Sequence, residues 1–245
     1  MIDFQYFEVL SFDCYGTLID WESGILNALK GILSSHNLDI DENGILLSQN
    51  LDLSDDKLLE MFAQEESVYQ ANCYSKYREI LKKVTQSLGK RLKFEPTDFE
   101  LNSLAESIQN WEPFPDTVEA LQALKKRYKL TIISNIDDDL FAYTAKKLKV
   151  EFDWIITAEQ VQSYKPSLQN FELAIQRMGI VPNKLLHVAQ SIYHDIVPAK
   201  SMGLATVWVN RRKGKEGFGA TVAASATPDL EVPDLKTLVS IIGLD

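Results

Sequence analysis

A carboxylate placed directly after a strand-length apolar run is the first feature of this sequence that can do chemistry. Asp13 follows the run 7–12 and comes shortly before Gly16 and Thr17. Backbone N–H groups in such a turn can hold a carboxylate, and a carboxylate held in this way can act as a nucleophile. The alternative is that Asp13 only caps the turn and that Gly16 supplies its backbone freedom. This turn alone leaves both interpretations open.

Polar residues also follow the later apolar runs, and they include hydroxyls, amides, a cation and a second carboxylate. They are Ser134, Asn135, Lys165, Gln190, Ser191 and Asp195. In an open parallel sheet the ligand lies beyond the carboxyl ends of the strands, beside the point where the strand order reverses. Each residue alone has an ordinary explanation as a turn former or a surface lysine. Together they indicate one shared crevice.

The pattern of apolar residues predicts the elements that must position these side chains. The apolar runs with the length of buried strands are 7–12, 130–134, 154–157, 185–189 and 205–209. Helix-length segments separate the later runs; one of them, 116–128, has basic residues in its last turn. Strands that alternate with helices predict an α/β fold with a Rossmann-like parallel sheet.

The segment 20–111 is different, because its apolar residues recur at the spacing of a helix face. They include Leu26, Leu29, Ile32, Leu33, Tyr77, Ile80, Leu81 and Val84. We therefore predict a helical cap domain, residues 20–111, inserted into an α/β core domain made of residues 1–19 and 112–245.

Composition excludes several classes of function. The chain has 245 residues, and no apolar stretch approaches the length of a membrane-spanning helix. The formal net charge of −10 repels phosphate backbones and anionic membranes, so neither nucleic acid nor a membrane is an expected partner. The first residues lack the features of a secretory signal, and Cys14 and Cys73 do not form a disulfide framework. We expect a cytoplasmic protein with reduced thiols.

Four motifs carry these side chains: 13–18, 131–135, 164–166 and 190–195. In their order they resemble the motifs of the haloacid dehalogenase superfamily, and the match covers residues 1–20 and 111–215. Most members are magnesium-dependent phosphatases whose leaving group is protonated by a second aspartate, two residues after the nucleophile. Here that position is Tyr15, whose phenol has an ordinary pKa of ~10 against ~3.9 for aspartate. A neutral amide, Gln190, replaces a carboxylate that the metal requires. We expect neither a metal nor another cofactor.

The first motif, Asp-x-Tyr-Gly-Thr, resembles the L-2-haloacid dehalogenases of that superfamily. Halide leaves without a proton, so such an enzyme needs neither the second aspartate nor the metal. The resemblance implies that Asp13 attacks carbon 2 of a small carboxylic acid and that an aspartyl ester forms. Lys165 would keep Asp13 ionised, and Asp195 would activate the water that hydrolyses the ester. A homodimer is also implied.

The same resemblance implies a set of substrate-binding residues. They are Cys14 and Tyr15 through their backbone N–H groups, and Thr17, Ser134, Asn135, Gln190 and Ser191. Ser134 and Asn135 would hydrogen-bond the substrate carboxylate. We expect His187 and His194 to be structural or solvent-exposed.

The sequence departs from that subgroup where the leaving group would bind. No arginine occurs between residues 20 and 77, and Phe171 and Ile192 replace a tyrosine and an asparagine. The runs 12–22, 114–121, 134–137 and 214–221 are similar instead to bacterial L-azetidine-2-carboxylate hydrolases, which open a strained ring by attack at carbon. Dehalogenation, ring opening, a magnesium-dependent phosphatase and a non-catalytic binding protein therefore remain open.

Overall fold

The computed structural model describes residues 2–36, 38, 41, 44–49, 51–71, 73–215 and 217–244. The chain divides into two compact units, which we call the α/β unit and the helical unit. The α/β unit comprises Met1–Asp20, Glu112–Lys215 and Ala223–Asp245; the helical unit comprises Trp21–Trp111 and Glu216–Val222. The sequence assigned all of 112–245 to the core, whereas the structure groups Glu216–Val222 with the helical unit. In the described part of the chain no helix is long and apolar enough to cross a membrane.

After strand β1 (Val9–Phe12) of the α/β unit, the chain forms the helical unit. Its elements are α1 (Trp21–Ser35), β2 (Ile45–Leu46), β3 (Leu51–Asp52), α2 (Asp55–Gln70), α3 (Tyr77–Leu92) and α4 (Asp98–Ser107). Helix α4 begins with a capping box, in which Thr97 and Glu100 satisfy each other's backbone N–H groups. The antiparallel pair β2–β3 is an addition to the predicted helices.

The rest of the chain completes the α/β unit. Its elements are α5 (Thr117–Lys125), β4 (Lys129–Ser134), α6 (Asp138–Leu148), β5 (Trp154–Thr157), α7 (Ala158–Val161), α8 (Gln169–Met178), β6 (Leu185–Ala189), α9 (Val197–Ser201), β7 (Ala205–Val209), β8 (Leu230–Val232) and α10 (Leu235–Ile242). The described residues form a six-stranded parallel sheet in the order β5-β4-β1-β6-β7-β8. The predicted α/β fold with a parallel sheet is confirmed.

Strand β1 lies at the centre of the sheet, between β4 and β6. Phe12 is in register with Ile132 of β4 and Val188 of β6, and every residue of β1 is buried. Strands that are covered on both faces are continuously apolar, and this is why the apolar runs of the sequence predicted them. Because the strand order reverses beside β1, the carboxyl ends of β4, β1 and β6 place Ser134, Asp13 and Gln190 at the switch point of the sheet.

Candidate active site

A buried lysine joins the two predicted catalytic carboxylates. Lys165 Nζ lies 2.9 Å from Asp13 Oδ1, 2.6 Å from Asp195 Oδ1 and 2.8 Å from the carbonyl oxygen of Ile133. These contacts use all three protons of the ammonium group. The lysine is 1% exposed, so its charge is held by protein groups rather than by water. The structure thus brings together the three residues that the sequence predicted to be catalytic.

Thr17 holds the second oxygen of Asp13. Its hydroxyl donates to Asp13 Oδ2 at 2.8 Å and accepts from the backbone N–H of Gln190 at 2.9 Å. The Gln190 carbonyl in turn accepts from Trp208 Nε1 at 2.8 Å. Gly16, whose φ of 93° favours glycine, allows the tight turn that carries Thr17 back toward Asp13. Both carboxylate oxygens of Asp13 therefore have a fixed donor.

Asp195 receives two hydrogen bonds on one oxygen and none on the other. Lys165 and His187 Nε2 both donate to Oδ1, the latter at 3.0 Å, while Oδ2 is buried and has no partner among the described residues. Asp195 lies in a π-helical turn, Ile192–Ile196. The hydroxyl of Ser191 caps that turn by accepting from the His194 N–H at 3.0 Å. An unpartnered buried carboxylate oxygen is an acceptor available for a proton.

Asn135 is engaged with the protein rather than presented to a ligand. Its Nδ2 donates to the carbonyl oxygen of Lys165 at 3.0 Å, and its Oδ1 accepts from the Lys165 N–H at 2.7 Å. The side chain therefore fixes the backbone that carries the lysine. Ser134 differs, because its hydroxyl is buried and has no hydrogen-bond partner in the described part of the chain. Of this pair, Ser134 has the side chain available for a substrate carboxylate.

The side chains of Cys14 and Tyr15 are unsuited to proton transfer. The Tyr15 hydroxyl lies 2.8 Å from Thr144 Oγ1, and burial raises the pKa of Tyr15 well above its ordinary value. Burial and the charge of Asp13 likewise raise the pKa of the Cys14 thiol. A phenol held in this way cannot replace the acidic aspartate of a phosphatase at neutral pH.

The charges of the buried cluster are mutually dependent. Burial and the neighbouring Asp195 charge raise the pKa of Asp13, although Lys165 opposes the rise. Burial acts in the same direction on Asp195, but Lys165 and His187 outweigh it and keep its pKa below the ordinary value. Despite burial, the two carboxylates raise the pKa of Lys165. With its pKa raised, Lys165 stays protonated at neutral pH, and Asp13 is a stronger base than an ordinary aspartate.

The residues present do not fit a magnesium ion. Asp13 has an ammonium on one oxygen and a hydroxyl on the other, and both backbone groups of Gln190 are bonded within the protein. Among the described residues no group of three or more acidic, histidine or cysteine side chains is arranged to hold a metal. Magnesium prefers several hard, anionic oxygen ligands, and this arrangement does not supply them.

Sequence reasoning did not assign two residues that contact the cluster, Arg211 and His187, to the site. Arg211 donates from Nε and Nη2 to the carbonyl oxygen of Thr17, at 3.2 and 3.0 Å, and pairs through Nη1 with Asp116 at 2.7 Å. It lies two residues after Val209, the last residue of β7, and this position beyond the carboxyl end of a strand was the available signal. His187, expected to be structural or exposed, is completely buried and contacts Asp195. The signal there was a polar side chain inside an otherwise apolar strand.

Comparisons with known proteins give a family and several relatives of this chain. A family model described as a haloacid dehalogenase-like hydrolase matches residues 7–203. Haloacetate dehalogenase H-2 of Moraxella sp. (strain B) is 27% identical over 245 residues, covering 97% of this chain and 98% of that protein. Pyrimidine 5′-nucleotidase YjjG of Escherichia coli (strain K12) is 29% identical over 154 residues, covering 60% and 67%.

A solved structure gives the same picture of the fold. The L-2-haloacid dehalogenase from Xanthobacter autotrophicus, with chloropropionic acid covalently bound, superposes with a TM-score of 0.75 at 18% identity. The match covers 98% of this chain and 100% of that one. At this level of identity the similarity concerns the fold alone.

Proposed function

The chain belongs to the haloacid dehalogenase-like hydrolase family, and from that premise we propose that it is a metal-independent hydrolase acting at carbon. Its substrate is a small carboxylic acid with a leaving group on carbon 2. The observation that carries the proposal is the buried lysine shared by Asp13 and Asp195, together with the Tyr15 hydroxyl held by Thr144. The first supplies an ionised nucleophile, and the second removes the general acid that a phosphatase needs.

The first step is a displacement by Asp13. A carboxylate oxygen of Asp13 forms a bond to carbon 2 while the bond to the leaving group breaks, and the leaving group takes the electron pair. The product is an ester on Asp13, with inversion at carbon 2. The Ser134 hydroxyl, buried and without a partner among the described residues, is the donor for the substrate carboxylate.

The second step is hydrolysis of that ester. Water attacks the carbonyl carbon of esterified Asp13, and its proton passes to Asp195 Oδ2, the buried oxygen without a partner among the described residues. As the bond between this carbon and the ester oxygen breaks, Asp195 returns its proton to that oxygen, so the hydroxy acid leaves with a neutral hydroxyl on carbon 2. The second proton of the water passes to solvent when the Asp13 carboxylate is restored. Lys165 faces a negative charge in both steps: it pairs with Asp195 while Asp13 is an ester, and with the oxyanion formed at the Asp13 carbon once Asp195 has taken the proton.

The relatives support a carbon–halogen bond as the target, because the names of several refer to haloacid or haloacetate dehalogenation. Ring opening of L-azetidine-2-carboxylate is a second candidate, favoured by the lack of an arginine between residues 20 and 77. In that reaction the leaving amine stays attached to the product, so no separate cradle for a halide is needed. Both candidates use the same chemistry at Asp13.

A phosphatase is the competing function, since one relative is a nucleotidase. Phosphate-ester cleavage expels an alkoxide, which must be protonated as it leaves. The position of that acid is occupied by Tyr15, whose pKa burial raises well above its ordinary value. This argument favours a leaving group that needs no proton.

The proposal is tested with L-2-chloropropionate and L-azetidine-2-carboxylate in the presence of EDTA. We expect chloride release or ring-opened product from at least one of them, and none from the Asp13→Asn variant. A single turnover in heavy-oxygen water should place label in the peptide that contains Asp13, because hydrolysis occurs at the aspartyl carbonyl. Failure with both substrates, combined with EDTA-sensitive hydrolysis of p-nitrophenyl phosphate, would overturn the proposal.

A further inference from the structure

Two hydrogen bonds link Asp195 to residues of the sheet, His187 of β6 and Ser11 of β1. His187 Nε2 lies 3.0 Å from Asp195 Oδ1, and His187 Nδ1 lies 2.9 Å from the hydroxyl of Ser11. Ser11 and His187 are completely buried, and Asp195 is 1% exposed. None of the steps described so far uses Ser11 or His187.

The partners of the imidazole define its tautomer. The carboxylate oxygen of Asp195 can only accept, so Nε2 carries the proton that it donates to Oδ1. Nδ1 then accepts from the Ser11 hydroxyl, so both ring nitrogens of His187 and the Ser11 hydroxyl have a partner. The ring of Phe171 packs edge-on against the imidazole, with centroids 5.0 Å apart at 86°. Hydrogen bonds and packing together fix the orientation of this histidine.

The residue types match those of a serine hydrolase, but the geometry does not. Ser11 lies in the central strand β1, where it is in register with Thr131 and His187 of the neighbouring strands. A completely buried hydroxyl in that position cannot reach a substrate. The functional end of these two hydrogen bonds is therefore Asp195, and Ser11 is their structural end.

His187 helps to hold Asp195 Oδ1, so that Oδ2 is the oxygen that can accept a proton. Lys165 and His187 converge on Oδ1, and Oδ2 has no partner among the described residues. With only one donor on Oδ1, the carboxylate could turn and exchange its two oxygens. When Oδ2 accepts a proton from water, Oδ1 keeps both donors, so neither Lys165 nor His187 loses its partner.

We propose that His187 is a positioning residue for ester hydrolysis, which holds Asp195 so that Oδ2 receives the proton of the attacking water. This inference rests on the proposed function and deepens it. Attack by Asp13 on carbon 2 does not need Asp195 as a base, whereas hydrolysis does. Loss of His187 should therefore slow the second step selectively.

Two variants separate this role from a general structural one. His187→Phe keeps a flat ring beside Phe171 but removes the donor to Asp195. His187→Gln keeps an N–H donor near the position of Nε2. In His187→Phe we expect ester hydrolysis to slow roughly 10- to 100-fold, less than the 10²–10⁴-fold typical of losing a catalytic acid or base itself. His187→Gln should recover most of that loss.

The measurement is a rapid-quench single turnover with whichever of L-2-chloropropionate and L-azetidine-2-carboxylate the wild type turns over. Leaving-group release or ring opening reports ester formation, and the mass of the peptide containing Asp13 reports ester decay. The inference predicts wild-type ester formation and accumulated ester in His187→Phe. Equal slowing of both steps, or decay at the wild-type rate, would overturn it. If the wild type forms no ester, the proposed function fails as well.

Nuclear magnetic resonance of the full chain with ¹⁵N-labelled histidine tests the contact without any substrate. The chain has three histidines, so single substitutions assign each signal. We expect His187 to be protonated at Nε2 and its Nε2–H signal to shift in Asp195→Asn. Protonation at Nδ1 alone, or no shift in that variant, would show that His187 does not donate to Asp195 and would overturn the inference.

Discussion

The two units of the molecule bury carboxyl groups in opposite ways. In the α/β unit, Asp13 and Asp195 share the ammonium of Lys165. In the helical unit, Glu66 is 3% exposed and accepts from the Tyr77 hydroxyl at 2.6 Å, and no cation pairs with it among the described residues. Burial raises the pKa of Glu66 to about 7. A buried carboxyl that is paired with a cation can stay ionised, whereas one without a cation approaches neutrality by binding a proton.

A second acid in the helical unit shows that hydrogen bonds can also keep a carboxylate charged. Glu100 accepts from the Ser35 hydroxyl and from the N–H and hydroxyl of Thr97, and His36 lies beside it. These donors, led by Ser35 and the Thr97 backbone, lower the pKa of Glu100 to about 2. The donors around a carboxylate, weighed against the burial of the group, decide its charge.

The largest effect is expected from removing the shared cation. Lys165→Met leaves two neighbouring carboxylates buried without compensation, so one of them takes up a proton. We expect a loss of stability of about 3–5 kcal/mol, the range for breaking a buried ion pair. Activity should fall by about 10²–10⁴-fold because Asp13 is no longer held as an anion. Denaturant unfolding and kcat/KM measure the two effects.

The matched control is Lys126→Met, which changes an exposed lysine in the same unit. It should leave both quantities close to wild type. Wild-type activity in Lys165→Met would contradict the assignment of Lys165 as the partner of the nucleophile.

The next largest effect is expected on the pH dependence of stability, through the buried carboxyl of Glu66. A raised folded-state pKa means that the stability contributed by Glu66 is fully present below its ordinary pKa, near 4.5, and is lost as the pH rises through about 7. Glu66→Gln removes this loss and should raise the free energy of unfolding at pH 8 by about 3 kcal/mol. The substitution keeps an acceptor for Tyr77. Urea unfolding at pH 5 and pH 8 measures the difference.

Glu65→Gln, at the neighbouring half-buried position, serves as the control for Glu66→Gln. It should leave the pH dependence of stability unchanged. An equal gain at pH 5 and pH 8 in Glu66→Gln would show that the gain does not come from the ionisation of Glu66.

A smaller effect is expected at Ser134, where a substitution should weaken substrate binding without lowering the stability of the fold. Its buried hydroxyl has no partner in the described part of the chain, so Ser134→Ala should be neutral or slightly stabilising in the free protein. The KM for a carboxylate substrate should rise about 10-fold, as for a lost hydrogen bond to a charged group. Thermal unfolding and steady-state kinetics test both halves. Destabilisation with unchanged KM would identify Ser134 as a structural residue.

The smallest effect on activity is expected at Tyr15. Tyr15→Phe removes the hydrogen bond to Thr144 and should cost about 1 kcal/mol of stability. Since the phenol is not an acid in the proposed reaction, kcat/KM should stay near wild type. A large loss of kcat with stability retained would instead favour the phosphatase, in which this position donates a proton.

The sequence predicted the parts of the fold whose pattern is local. Strands β1 and β4 to β7 are apolar runs, whereas β8 has three residues and one fully buried side chain, too little for a recognisable pattern. The position of Asp13 directly after β1, and of Lys165 and Asp195 in the segments that follow β5 and β6, was likewise predictable. The direction of the side chains was not, because Asn135 turns toward the Lys165 backbone and Ser191 caps its own turn. Such choices depend on partners distant in the sequence, which no local pattern reveals.

The hydrogen bonds of the Lys165 ammonium protect this side chain from reagents that modify amines. Acylating or reductively methylating an amine requires the group to shed a proton and expose its lone pair. Every N–H of this amine is committed to a fixed oxygen, and the side chain is 1% exposed. Surface lysines therefore react while the fold is intact, and Lys165 acquires a label only in molecules that have opened. Labelling of Lys165 therefore reports how many molecules have unfolded.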